Sequence, residues 1–132
     1  MEKPSSSNSA ELLRNRIMAL SFNQTKSILC IGTTMGFRLV RIEDCKCTSS
    51  RDSTESHHFE GGFSLISSMF STQLLLLVGS EENKQQASNI LYFWDEYQSQ
   101  FKAEIRFRSQ VKNVLIRRDK IIIILEKIVN DN

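Results

Sequence analysis

The chain has 132 residues, of which 40% are hydrophobic and 24% charged, with a formal net charge of +2. That balance fits a soluble globular chain with no overall pull toward nucleic acid or membrane. The longest apolar runs, residues 74–78 and 121–125, are far shorter than the roughly 20 residues a membrane-spanning helix needs.

The first ten residues are rich in Ser and Asn and contain no apolar stretch of the kind that marks a secretory signal. Residues 1–15 are expected to be poorly ordered. Leu12, Leu13 and Ile17 have helical spacing, enough for one turn or two within residues 11–18, and no segment supports a longer helix. Residues 18–22 alternate as a strand, 23–26 form a turn, and 28–32 make the next strand, carrying Cys30 in an apolar setting. Residues 33–36 turn the chain into a strand over 37–42, with Phe37 and Leu39 on the apolar side and Arg38 and Arg41 free to face water. Residues 43–56 are polar and without periodicity, and are expected to be a solvated loop. Cys45 and Cys47 lie in it. Three cysteines in such unlike surroundings do not make a disulfide framework, and the expected compartment is reducing.

A short strand is expected at 57–59 and a turn at 60–62. Residues 63–70, the turn 71–73 and the run 74–79 then repeat the strand, turn, strand order of the first unit. Residues 80–89 read as a polar loop, and 90–95 as a strand ending in Trp94 and Asp95. Residues 104–108 alternate as an outer, half-exposed strand, which puts Arg106 and Arg108 together on the face opposite Ile105 and Phe107. Strands over 111–116 and 121–125 begin a third unit.

Spacing ties these pieces together. Leu74 follows Ile28 by 46 residues, and Ile121 follows Leu74 by 47. A period of roughly 40 to 50 residues with several short strands per unit is that of β-propeller blades. The expected fold is all-β, a partial WD-repeat propeller of about two to three blades. Blade 1 is expected over 16–60, blade 2 over 61–109, and the start of blade 3 over 110–132. The 74–78 and 121–125 runs read as buried central strands.

Positive charge gathers late in the chain. Lys102, Arg106, Arg108, Lys112, Arg117, Arg118 and Lys120 stand against Glu104 and Asp119 alone in that stretch. Arg106, Arg108, Arg117 and Arg118 are the candidate partner-binding residues, suited to an acidic partner because basic side chains steer such encounters. The plainer reading is the polar face of an outer strand. Cys45, Cys47, His57 and His58 have zinc-compatible chemistry, but Cys-x-Cys lacks the usual two-residue gap. They read as incidental loop residues, with no metal or cofactor expected, and the two histidines as an exposed strand pair. Trp94 reads as a packing residue between blades and Asp95 as the anchor of the following turn. Gly61-Gly62 precedes no helix, so it reads as a turn and not as a phosphate cradle. No catalytic grouping or nucleotide motif is present, and the protein is not expected to be an enzyme.

Several of these pieces, in order, carry a family resemblance: Ser21-Phe22-Asn23-Gln24, Ile31-Gly32-Thr33, Gly36-Phe37-Arg38, Glu60-Gly61-Gly62, Met69-Phe70-Ser71-Thr72, the 74–79 run, Tyr92-Phe93-Trp94-Asp95, Phe107-Arg108-Ser109 and Arg117-Arg118-Asp119-Lys120-Ile121. Together they resemble the opening of a PROPPIN, the phosphoinositide-binding WD-repeat propellers of autophagy, over about residues 18–126. The resemblance implies a seven-bladed disc that binds phosphatidylinositol 3-phosphate and the 3,5-bisphosphate on preautophagosomal, endosomal or vacuolar membranes. It implies a cytoplasmic, peripheral protein that recruits autophagy partners, with early blades docking acidic segments. The family grips lipid through a Phe-Arg-Arg-Gly motif in later blades. Arg117-Arg118 is followed by Asp119 and does not match it, so no lipid-binding residue is assigned within this chain. The family continues the third unit with a strand rich in Tyr and Val, whereas residues 126–132 supply two apolar residues, so a truncated product, splice form or incomplete gene is expected. The alternative is a generic WD-repeat interaction module, or a fragment without a function of its own.

Overall fold

A computed structural model describes residues 15–52, 61–69, 73–83 and 85–127. The described elements are ten strands: β1 (Ile17–Phe22), β2 (Ile28–Thr33), β3 (Gly36–Arg41), β4 (Lys46–Asp52), β5 (Phe63–Ser68), β6 (Leu74–Gly79), β7 (Ile90–Asp95), β8 (Gln100–Arg106), β9 (Val111–Ile116) and β10 (Ile121–Leu125). Within each sheet, strands consecutive in sequence pair antiparallel. The result is two four-stranded meanders, β1-β2-β3-β4 and β5-β6-β7-β8, and a third sheet holding β9 and β10. The leading strands lie together, β1 against β5 and β5 against β9. Sheets that fan from adjacent first strands are the architecture of propeller blades.

Local chemistry sets the hairpins. The Asn23 side chain, 2% exposed, accepts from the Ser27 and Ile28 amides at 2.9 and 3.0 Å, which closes the β1–β2 turn around Lys26 at φ 60°. An Asn carboxamide that mimics a backbone acceptor makes this turn specific. At the β3–β4 hairpin Arg41 and Asp44 form a two-point ion pair at 3.0 and 2.7 Å. That contact holds the Asp44 carboxyl below the usual carboxylate range.

Two layers of core alternate with the sheets. Cys30 and Phe37 of the first sheet meet Phe63, Leu75, Leu77, Tyr92 and Trp94 of the second. Leu76, Val78 and Leu91, on the opposite face of the second sheet, meet Val111 and the partly buried Val114, Ile116, Ile121 and Ile123 of the third. The 74–78 run is apolar at every position for this reason. Its odd residues serve one layer and its even residues the other, so both rows are buried and alternation disappears.

Burial also pushes the Cys30 thiol up to about 11 from its ordinary 9.0, against smaller opposing effects of the Ser21 side chain and the Ser68 backbone. An unfolded chain ionises this thiol first, so stability holds below about pH 9 and falls as pH rises toward about 11. At pH 8 a thiol-alkylating reagent is expected to label Cys45 and Cys47, both exposed, while buried Cys30 stays unmodified until denaturant is added. Intact mass before and after denaturation checks this.

Several expectations are corrected. The 43–56 stretch is not all loop, because residues 46–52 form β4. That strand pairs through its backbone with β3 at the edge of the sheet, where polar side chains are tolerated on both faces and leave no apolar period to read. Ile17 and Met18 belong to β1 and not to a helical turn. The strand begun at Phe63 ends at Ser68. β10 is only half buried. Ile121 and Ile123 face the second sheet, whereas Ile122 and Ile124 are 40% and 43% exposed, since the third sheet has a neighbour on one face alone among the described residues. Along β8 every residue except Phe101 is exposed, Ile105 included, so its alternation does not mark an apolar face. The 57–59 strand and the His57 and His58 pair lie outside the described residues.

Candidate functional site

Arg106 is the last residue of β8, and its guanidinium lies 3.7 Å from Glu104 with both side chains more than half exposed. Such a pair contributes little to stability. Arg108 is exposed in the connection to β9. Arg117 and Arg118 are exposed in the β9–β10 turn, where the Arg117 amide donates to the Lys120 carbonyl at 2.8 Å. Among the described residues no carboxylate pairs with Arg108, Arg117 or Arg118. The six residues of β9 run between the two groups, a length of about 20 Å at roughly 3.3 Å per residue. The structure therefore places Arg106 at the end of the second sheet's outer strand and Arg108 in the connection before β9, with Arg117 and Arg118 beyond the far end of β9. It does not gather the four into one patch. Lys112 is drawn to Glu126 at 3.4 Å, which leaves Arg108, Arg117, Arg118 and Lys120 as the exposed cations of this stretch without a recorded ion pair among the described residues.

Two clefts follow the sheet junctions. One, of about 430 Å³, brings together Arg16, Ser64, Glu81, Glu82, Gln110 and Lys112 where the leading strands of the three sheets meet. The other, of about 560 Å³, opens between the first two sheets beside Asn23, Ser27, Ser49, Gln73, Glu96 and Tyr97. Tyr97 stands almost free of the surface at 84% exposure.

Sequence reasoning missed the polar clamp at the edge of the second cleft. Glu96, just past β7, accepts from Trp94 Nε1 at 2.8 Å and from Arg51 Nη2 at 2.9 Å, and the Ser49 hydroxyl also donates to its carboxylate. Ser49 and Arg51 belong to β4, so one carboxylate ties the outer strand of the first sheet to the second. Nothing local marks the partnership, since the residues are 45 to 47 positions apart. The loop between β6 and β7 is a related case. Although polar, it buries Ser80, Asn83 and Gln86. Asn83 Nδ2 donates to the Gly62 carbonyl at 2.8 Å, and Asn83 Oδ1 accepts from the Gln85 and Gln86 amides. As the sequence suggests, Asp95 anchors the turn that follows it by accepting from the Gln98 amide at 3.1 Å.

Glu96→Ala is expected to cost about 2 kcal/mol, because it strands three donors that the carboxylate now satisfies. Glu96→Gln, which keeps an acceptor for Trp94, is expected to lose less. Urea denaturation of the two variants measures the difference.

No metal-binding group of three or more His, Cys, Asp or Glu occurs among the described residues, and no described helix is long and apolar enough to cross a membrane. No protein-family model matches the chain. Among curated proteins it is 26% identical to autophagy-related protein 18e of Arabidopsis thaliana over 113 residues, which cover 85% of this chain and 29% of that protein. Among solved structures it superposes on Kluyveromyces lactis Hsv2 with a TM-score of 0.67 and 20% identity, covering 85% of this chain and 31% of that one. It also superposes on KlAtg21 in its complex with the coiled coil of AgAtg16, with a TM-score of 0.66 and 18% identity, over 83% and 33% of the two chains. The structural likeness shows the fold, a partial β-propeller. The sequence likeness is to the PROPPINs, proteins of autophagy, across most of this chain. The chain spans less than a third of the length of the relatives it matches.

Proposed function

We propose that this PROPPIN-like chain supplies the early blades of an autophagy scaffold and works by docking acidic protein segments, without catalysis. In the whole protein the family role would be to bind phosphatidylinositol 3-phosphate and the 3,5-bisphosphate on autophagosomal or endosomal membranes. In this reading later blades carry the lipid contacts, and the division 16–60, 61–109 and 110–132 describes successive blades. The protein is then cytoplasmic and peripheral to those membranes. The observation that carries the partner role is the set of exposed arginines, Arg106 and Arg108 before β9 and Arg117 and Arg118 after it. KlAtg21, a structural neighbour, is seen with a coiled coil of AgAtg16, and a helical partner presenting acidic residues would suit either arginine pair.

The test is fluorescence anisotropy with an acidic coiled-coil peptide. Arg106→Glu with Arg108→Glu, or Arg117→Glu with Arg118→Glu, is expected to weaken binding about tenfold, equivalent to about 1.4 kcal/mol, while leaving the denaturation midpoint unchanged. Which double variant acts identifies the docking end. Unchanged affinity in both would overturn the partner reading. Separately, vesicles containing phosphatidylinositol 3-phosphate should retain a product with later blades and release the 132-residue chain. Retention of the short chain would place lipid contacts within it.

A further inference from the structure

Both walls of the cleft of about 560 Å³ come from the two four-stranded sheets, and none of its lining from the third. Its volume lies within the roughly 300 to 1,000 Å³ of ligand pockets, which combine apolar lining with a few convergent polar groups. Ile28 and Leu39 of the first sheet and Leu75 of the second supply the apolar part. Thr48 and Gln73 add neutral hydrogen-bonding groups, and among the described residues no hydrogen bond takes up the Gln73 side-chain amide or the Tyr97 hydroxyl. Tyr97, in the β7–β8 turn, offers a bare aromatic ring at the mouth. The cleft is electrically neutral. Its one charged lining residue, Glu96, is answered by Arg51 at 2.9 Å. An anionic ligand therefore finds no cation in the lining and a cationic one no open carboxylate, and charge buried without a partner is costly. Addition of a peptide strand is also discouraged. β4 carries Lys46 and a register shift in which Thr48 has no partner on β3, features that turn incoming strands away.

We infer that this cleft binds a neutral saccharide. The ligand it suits is uncharged, exchanges hydrogen bonds around its edge, and presents an apolar face to Tyr97. A pyranose ring has this form. Its hydroxyls radiate at the edge, and its axial C–H bonds make one face apolar, with partly positive hydrogens that suit the negative face of an aromatic ring. The Thr48 hydroxyl donates to the Leu39 carbonyl at 3.4 Å and keeps its own lone pairs for a sugar hydroxyl. The Gln73 amide both donates and accepts, and its backbone is fixed because the Gln73 carbonyl accepts from the Glu96 amide at 2.8 Å. A carboxylate has about four lone-pair sites. Trp94, Arg51 and Ser49 hold that of Glu96 in one orientation and leave room for a further donor. The acceptor is thus in place before the ligand arrives, which lowers the ordering cost of binding.

Saturation-transfer difference NMR on the full 132-residue chain tests this, with maltotriose, cellotriose and triacetylchitotriose as the probes. At least one is expected to take up saturation at its ring C–H protons, with a Kd on the order of 1 mM. Tyr97→Ala and Gln73→Ala are each expected to weaken that binding about tenfold. Both side chains are exposed, so circular dichroism and the urea midpoint should stay unchanged. The single tryptophan supplies a readout free of any variant, since the Trp94 indole N–H is bonded to Glu96 and its resonance should move as saccharide is added. Absence of saturation transfer to all three probes at about 10 mM, ten times that Kd, would overturn the inference. So would binding that survives both variants or leaves the Trp94 resonance in place, because the sugar would then lie elsewhere. Tighter uptake of glucose 6-phosphate than of glucose would overturn the neutral class of ligand.

Discussion

Trp94→Ala is expected to remove most of the stability of this chain, by about 3 to 5 kcal/mol. Whole domains of ordinary size have only about 5 to 15 kcal/mol to lose. Trp94 is 1% exposed and is one of the largest side chains in the core. Its ring meets Phe37 of the first sheet at a centroid distance of 6.3 Å and Phe101 of its own sheet at 4.9 Å, both edge-on. Edge-on aromatic pairs add to simple area burial because ring edge and ring face carry opposite partial charge. The indole N–H is also engaged, with Glu96. Truncation therefore leaves a cavity between two sheets and removes one of the three donors that hold the Glu96 carboxylate, while Ser49 and Arg51 of β4 keep theirs. Trp94→Phe keeps the ring contacts and loses the hydrogen bond, so it should fall between Ala and wild type. Because this is the chain's one tryptophan, unfolding must be followed by circular dichroism in urea and not by intrinsic fluorescence.

Gly62→Ala is expected to destabilise by about 3 kcal/mol, the upper part of the usual range for overpacking. The reason is geometric. A Cβ at this position would lie 1.9 Å from the Thr33 carbonyl oxygen and 2.5 Å from Thr34 backbone atoms. Those atoms belong to the end of β2 and the turn beyond it, and cannot rotate aside as a long side chain can. The Gly62 carbonyl also accepts from the Ser80 amide at 3.1 Å and from Asn83, so a shift at Gly62 breaks the tie to the β6–β7 loop. Gly61→Ala serves as the control, since its added Cβ approaches no closer than 3.1 Å, to Asn83. A pair of urea denaturation curves distinguishes them. Equal midpoints for the two alanine variants would show that the sheets separate more easily than this packing allows.

Much of this architecture was legible because the repeat placed similar strands at a near-constant interval. The 28–32, 74–79 and 121–125 runs all emerged as the second strand of a sheet. What was not legible has separate physical causes. β4 escaped because an edge strand is held by its backbone, and the Ser, Thr and Lys on it satisfy no apolar period. β10 was read as buried because Ile and Leu at every position look the same whether one face or both are covered. The loop at 80–89 read only as polar, because composition does not reveal that Asn83 caps the Gly62 carbonyl and is itself buried. The arginines were correctly read as exposed, but a linear list carries no distance, and β9 separates them into two pairs. Glu96, the residue that links Trp94 to Arg51, sits in a turn of ordinary polar composition and finds its partners only after the sheets have met.

The uninterrupted apolar character of β6 has a consequence for how the chain finds its register. In a strand with one wet face, a slip of one residue drives polar groups inward and is strongly penalised. Between Leu74 and Val78 that penalty vanishes, because a slipped strand would present leucines to both neighbours just as well. The information that aligns this strand must therefore be held at its ends. Gly79 is one such stop, since any side chain there would meet the Gln86 carbonyl oxygen at 1.7 Å. The Asn83 to Gly62 hydrogen bond is the other. Hydrophobicity draws this strand into the middle of the molecule, but a glycine and an asparagine outside the apolar run decide which way each leucine points.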